Sequence, residues 1–158
     1  MPTAVRRVAT WRTKAHSEAA MELTDEQRDY LDRNLLCILA TSRRDGSPQV
    51  STLHYSLQDD GIYVGVTRDS AKWHNAGRQP RVALLVNEGR AQVVVYGTAE
   101  QVGDDPERVD RYRAHRTQTH GKGGELGLPL EGDAFRELLD SGNRAMLRVT
   151  PDRVLKND

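Results

Sequence analysis

The chain has 158 residues, with 23 Lys+Arg balanced by 23 Asp+Glu, 37% apolar residues and 13 glycines. That length favours one domain over two and suffices for a core, and the composition excludes a disordered polyampholyte, a collagen-like chain and a helical membrane protein. The zero net charge argues against binding nucleic acid through overall charge.

The zero hides a split. Residues 1–21 hold Arg6, Arg7, Arg12 and Lys14 against Glu18, a net of +3, so residues 22–158 carry −3. The basic stretch lacks the apolar run of a secretory signal. The longest apolar run, Leu35–Ala40, is far short of the ~20 residues of a membrane-spanning helix. Cys37 is the single cysteine and cannot form an intrachain disulfide. The expectation is a cytoplasmic protein in which 1–21 is a disordered basic extension and 22–158 one domain. Met21, followed at once by a helix start, reads as a candidate natural first residue.

Thr24 with Gln27 has capping-box spacing, and the pattern predicts a helix over Asp25–Arg33. Leu35–Thr41 is apolar on both faces and reads as a buried strand. Asp45-Gly46 marks a hairpin turn, and Pro48 opens a second strand over Gln49–Leu57. Asp59-Asp60-Gly61 turns the chain into a third, Ile62–Thr67. Residues 68–80 break the pattern, with a turn or two of helix from Ser70 stopped by Gly77 and Pro80. Strands follow at Arg81–Asn87 and Arg90–Val102. A helix then runs from Asp104 or Asp105, with Pro106 at its first position, to about Thr119. Its apolar content is thin (Val109, Tyr112), so most of it is expected to face water or a partner. A loop at Gly121–Gly132, a helix at Ala134–Leu139 and a last strand at Ala145–Val149 complete the chain. Connections this short preclude βαβ crossovers, apart from the 68–80 excursion. The fold class is mainly β, a six- to seven-stranded antiparallel barrel with peripheral helices.

No nucleophile elbow, P-loop or dinucleotide fingerprint is present; Gly121-Lys122-Gly123-Gly124 follows a helix and lacks P-loop spacing. The five histidines, His16, His54, His74, His115 and His120, show no metal-ligand spacing. They read as surface residues, and no metal site is expected. Cys37 reads as packing. The informative stretch is Thr67–Arg81, where Thr67, Ser70 and Lys72 gather at a strand-to-helix turn. A helix N-terminus offers unpaired N–H groups that suit a phosphate, although an ordinary N-cap beside a solvated lysine has the same spacing.

Four segments carry a family resemblance. Ala40-Thr41 with Asp45-Gly46, Pro48 and Ser51 looks like an A-T-x-x-x-D-G-x-P-x-x-S hairpin. Ile62-Tyr63-Val64 with Thr67 and Ser70-Ala71-Lys72 is similar to a phosphate-binding strand end. Asn75, Arg78, Pro80, Arg81 and Val82 fit N-x-x-R-x-P-R-V. Gln92-Val93 with Gly97, Ala99 and Glu100 fits Q-V-x-x-x-G-x-A-E. Together, about 60 residues resemble the split-β-barrel flavin and deazaflavin oxidoreductases of the pyridoxamine-phosphate-oxidase-like superfamily, in the F-420-dependent branch. The resemblance implies an FMN-binding split-barrel fold and a homodimer with two cofactor sites at the subunit interface. It also implies that Ser70 and Lys72, with Thr67 and Ala71, hold the cofactor phosphate. Gln49, Val50, Ser51 and Thr52 would line the cofactor, largely through backbone groups, and Gln92 would approach its ring system. The chain has Ala76-Gly77 where the family usually has Leu-Arg, which leaves Arg68, Arg43 or Arg44 for a polyglutamate tail. After Ala145 no Trp or His matches the substrate-binding segment of the vitamin-B6 oxidases.

The implied function is an F-420-dependent oxidoreductase that transfers a hydride between the deazaflavin and a small electron-poor substrate, with His54, Tyr55 or solvent supplying any proton. An FMN-binding reductase or oxidase of the same fold is the alternative, as is a non-catalytic flavin, deazaflavin or haem carrier. Neither a nucleic-acid nor a membrane partner is implied.

Overall fold

The computed structural model describes residues 10–11, 21–121 and 131–157. Two short strands, β1 (Thr10–Trp11) and β2 (Met21–Glu22), pair antiparallel. The rest of the 1–21 extension, and positions 122–130 of the expected loop, lie outside the described residues.

Helix α1 (Asp25–Arg33) forms the anticipated capping box. Thr24 Oγ1 accepts from the Gln27 N–H at 3.1 Å, and Gln27 Oε1 accepts from the Thr24 N–H at 3.0 Å. Six further strands follow: β3 (Leu36–Ser42), β4 (Pro48–Gln58), β5 (Gly61–Thr67), β6 (Arg81–Glu88), β7 (Ala91–Val102) and β8 (Arg144–Asn157). They close an antiparallel barrel in the order β3-β4-β5-β8-β7-β6. Closure removes the exposed edges that strands this apolar would otherwise present. Gly46 takes a φ of 84° in the β3–β4 turn, a conformation open to glycine at no cost.

Strand β8 extends eight residues beyond the expected end at Val149. Pro151, Asp152 and Arg153 mask it in the sequence. The ladder to β7 accommodates them with a register shift between Tyr96 and Gly97, where a proline costs no ladder bond.

The interior is lined by alternate residues of each strand, among them Leu39, Tyr55, Val64, Leu84, Val95 and Leu147. Two helices plug its ends. At one, α1 buries Tyr30 and Leu31, and the Tyr30 hydroxyl donates to the Ala91 carbonyl at 3.0 Å. At the other sits α2 (Ala71–Arg78), which passes Gly77 and stops short of Pro80. Its Asn75 donates to Thr41 Oγ1 at 3.1 Å, so this asparagine braces the plug.

Helices α3 (Glu107–Gly121) and α4 (Gly132–Ser141) cover one outer flank of the barrel. A second apolar cluster there joins Tyr63, Val102, Val109, Tyr112, Phe135 and Met146. Contrary to expectation, α3 is closely docked rather than mostly solvated. Arg108, Tyr112, His115 and Thr119 are all buried. Their spacing of four, three and four residues is a helical stripe written largely in polar side chains, so hydrophobic patterning misses it. His115, expected at the surface, is 4% exposed.

Among the described residues no helix covers the opposite flank. By register, Ile38 faces outward beside Thr52 and Leu85, and Tyr96 beside Ala83 and Arg153. Leu36 (48% exposed), Val50 (63%), Tyr96 (39%) and Leu155 (37%) are the large apolar side chains left open among the described residues.

Candidate functional site

The barrel ladder is short at two places, between β3 and β6, which pair only from Ile38/Leu85 to Ala40/Ala83, and between β4 and β5, the seam that matters here. Strands β4 and β5 pair only from Tyr55/Val64 to Gln58/Gly61. Beyond Tyr55 and Val64 they part, although β4 stays paired with β3 as far as Pro48 and β5 with β8 as far as Thr67. An antiparallel strand sends alternate backbone groups to each side. The parted segments, Gln49–His54 and Gly65–Thr67, therefore turn amide and carbonyl groups into the gap without a strand to receive them.

A cleft of about 210 Å³ occupies this gap. Thr52, Leu53 and His54 form one wall, Gly65 and Arg144 the other, and α3 closes it with His115, Arg116 and Thr119. Gly65 is what lets α3 come so close. A Cβ there would lie 2.7 Å from Tyr112 Oη and 3.2 Å from Cζ. A neighbouring cleft of about 400 Å³ shares Leu36 and Thr52 and adds Asn34, Ile38 and Asn87.

The strand-to-helix turn stands at the seam's upper end. Ser70 is the N-cap of α2, its Oγ accepting from the Trp73 N–H at 3.4 Å. Its hydroxyl proton goes to the Thr67 carbonyl at 2.7 Å, which leaves Ser70 an acceptor rather than a donor toward an anion. The anion-binding capacity of this turn rests instead on the Lys72 ammonium, which has no ion pair among the described residues, and on the first-turn N–H groups of Ala71 and Lys72. Asp69 adds a negative charge; the neighbouring Thr67 hydroxyl holds its carboxyl below the usual range.

The nine residues singled out in the sequence thus fall into three groups. Thr67, Ser70, Ala71 and Lys72 meet at the upper end of the seam. Val50 and Thr52 point outward from β4, whereas Gln49 and Ser51 share the inward side, with Thr41 donating to Gln49 Oε1 at 3.0 Å and Gln49 donating to Ser51 Oγ at 2.8 Å. Gln92 lies at the α1 end of the barrel, opposite Asn87, away from Lys72. His54 lines the cleft while Tyr55 is in the core, donating to the Leu31 carbonyl at 2.5 Å, so only one of that pair faces the gap. Sequence reasoning missed Gly65, Tyr112, Arg116, Thr119 and Arg144. The polar stripe on α3 was the available signal for Tyr112 and Thr119.

Charge distinguishes this cleft from the other large depression. Arg116 and Arg144 face the cleft, and among the described residues no carboxylate lines it. The groove of about 520 Å³ beside α3 carries Asp104, Asp105, Glu107 and Asp110 against Arg111. A phosphate or carboxylate would be repelled there and drawn to the seam.

Fold and site together define a split β-barrel with a cleft at the strand parting. The chain matches the pyridoxamine 5'-phosphate oxidase family over residues 23–158, and it belongs to that family. Among solved structures it is similar to the conserved hypothetical protein Rv2991 from Mycobacterium tuberculosis, with 23% identity, a TM-score of 0.68, and coverage of 96% of this chain and 88% of that one. It is also similar to an F420 reductase, with 23% identity, a TM-score of 0.64, and coverage of 84% and 98%. HutZ, the heme storage protein from Vibrio cholerae, is similar at 17% identity, with a TM-score of 0.61 and coverage of 85% and 94%. At these identities the likeness is one of fold. No helix among the described residues is long and apolar enough to cross a membrane, and none of their His, Cys, Asp and Glu side chains group as a metal site.

Proposed function

We propose that the protein is an oxidoreductase that binds the deazaflavin F-420 along the β4–β5 seam and passes a hydride between it and a small electron-poor substrate in the cleft beneath. The observation that carries this reading is the seam itself: a parted ladder whose unreceived backbone groups suit the donor and acceptor edge of a flat heterocycle, with cationic groups around it. The residues present fit such a cofactor. Lys72 and the N–H groups of Ala71 and Lys72 would hold its phosphate, and the edge backbone of Gln49–Thr52 its ring system. When bound, the deazaflavin would supply the hydride at C-5, which is why no acid–base dyad is needed. The chain's own part is to orient the substrate against Arg116, Arg144 and His54 and to exclude water through the close packing of α3 on Gly65.

The bare flank bears on assembly. Leu36 and Thr52 belong both to this flank and to the clefts. A second copy laid on Leu36, Val50, Tyr96 and Leu155 would bury them and close the cofactor site from outside. FMN in the same seam is the second reading; haem, which the His54 imidazole in the cleft would hold, is the third.

Titration with F-420 and FMN by fluorescence quenching, and with haemin by absorbance, separates the three. The proposal expects saturable F-420 binding that weakens about ten-fold or more in Lys72→Ala, the worth of one charged hydrogen bond. FMN or haemin binding with no F-420 binding would overturn it. Cofactor binding without hydride transfer to any of a broad panel of acceptors would make the protein a carrier.

A further inference from the structure

A buried hydrogen-bond relay ends at the cleft. Gln58 is anchored by Arg111: its Oε1 accepts from Arg111 Nη1 at 3.3 Å, and its Nε2 donates to the Arg111 carbonyl at 3.0 Å. These contacts fix which end of the amide is which. The same Nε2 donates to Ser56 Oγ at 3.3 Å, and Ser56 Oγ lies 2.9 Å from His115 Nδ1. Ser56 is fully buried.

The proton positions follow from this geometry. A hydroxyl carries one proton and two acceptor sites, and Gln58 already occupies one of the latter. If Nδ1–H also donated to Ser56, the serine proton would be orphaned at a position closed to water, the costly arrangement. Ser56 therefore donates to Nδ1, and the single proton of the neutral ring resides on Nε2. That nitrogen lies beside Gly65, where a Cβ would be 3.5 Å from it. It has no hydrogen-bond partner among the described residues, yet it is not a sealed atom; among those residues Arg28 Nε is the buried unpaired one. Nε2–H opens into the cleft.

We propose that His115 is a neutral hydrogen-bond donor to the substrate, its tautomer set by the Arg111–Gln58–Ser56 relay, and that the group it addresses is the oxygen of a conjugated carbonyl. The substrate class rests on the oxidoreductase reading above. A hydride arriving at the far carbon of such a system forms a C–H bond with its own electron pair. The displaced π pair moves onto the carbonyl oxygen as enolate charge, and water supplies the proton that completes the reduction. A donor already aimed at that oxygen stabilises the charge as it develops. Burial, with Arg116 and His54 nearby, pushes the His115 imidazolium down to about 3, so the ring stays neutral while those groups and Arg144 supply the surrounding field.

The test uses the full chain and two readouts. Nitrogen-15 histidine NMR reports the tautomer with no cofactor present. It should show His115 as neutral Nε2–H from about pH 5 to pH 8, a window that spans ordinary histidine titration, and a shift toward Nδ1–H in Ser56→Ala. Carbonyl-labelled cyclohex-2-enone, added with and without oxidised F-420, should show a downfield carbonyl displacement with the wild-type protein. That displacement should vanish in His115→Phe and persist in His115→Gln, which keeps a neutral N–H donor. An Nδ1–H tautomer or an imidazolium in the wild type overturns the proposal. So does an unmoved carbonyl signal in both states, or a displacement that survives His115→Phe. If both readouts succeed while F-420 fails to bind, the donor assignment stands and the cofactor reading falls.

Discussion

Placing a methyl group at Gly65 perturbs the element that shapes the cleft. The new Cβ would meet Tyr112 Oη at 2.7 Å and Cζ at 3.2 Å. Ordinary contact begins near 3.5 Å, so α3 must withdraw by several tenths of an ångström or Tyr112 must leave its rotamer. Tyr112 is 3% exposed and packs edge-to-face on Phe135 at 6.5 Å, so neither escape is open without loss. Overpacking of a tight core costs about 1–3 kcal/mol, and at this chain length each kcal/mol lowers Tm by roughly 2–4 °C. Gly65→Ala should therefore melt about 4–8 °C below wild type, taking the middle of that range. The deciding assay is a double-mutant cycle with Tyr112→Phe, which removes the closest atom of the clash but leaves Cζ. The two substitutions should be non-additive, the phenylalanine recovering about half the loss. If Gly65→Ala costs nothing, or the two effects simply add, the close packing of α3 on β5 is not what shapes the cleft.

Three further outcomes follow. Arg148, 7% exposed, binds Glu100 and Glu107 at 2.7 Å and Asp60 at 3.1 Å; Arg148→Met strands Glu100 and Glu107, while Asp60 keeps Arg111, so the stability read from the urea midpoint at unchanged slope should fall by about 2–4 kcal/mol, and a loss under about 1 kcal/mol would contradict the network's role. The folded-state pKa of His115 lies at about 3 against an ordinary 6.5, so its contribution to stability is complete above pH 6.5 and drains away as pH falls toward the folded value. Relative to His115→Gln, the wild type should lose about 1.4 kcal/mol per pH unit through that window, and parallel stability curves would refute the buried neutral ring. Burial pushes the Cys37 thiol up to about 12, so aromatic disulfide reagents should label it only after unfolding; rapid labelling of the native protein at about pH 8 would contradict this.

Much of the barrel was legible because its signals are local. Asp45-Gly46, Pro48 and the Asp59–Gly61 turn punctuate strands of clear pattern, and Thr24 with Gln27 announces α1 to the residue. Strand β8 was half legible, since Val149 onward depends on a partner strand to make sense of Pro151 and a bulge. The turn at Thr67–Lys72 was visible as a cluster, but the destination of the Ser70 proton was not, because it is set by the Thr67 carbonyl across a single turn. The α3 wall was illegible for a physical reason. Its inward stripe is Arg108, Tyr112, His115 and Thr119, buried in part through an ion pair of Arg108 with Asp140 and a hydrogen bond of His115 with Ser56, partners from distant segments. No hydrophobic periodicity encodes partners of that kind. The seam is likewise a property of pairing, visible only once β4 and β5 are seen to part.

Amide chemical-shift mapping with F-420 tests whether the β4–β5 seam receives the cofactor. Perturbations should concentrate at Gln49–His54, Gly65–Lys72 and the α3 wall around His115 and Arg116. Saturable binding with perturbations gathered instead at the acidic groove of Asp104–Asp110, or spread along the α1 end near Gln92, would contradict it.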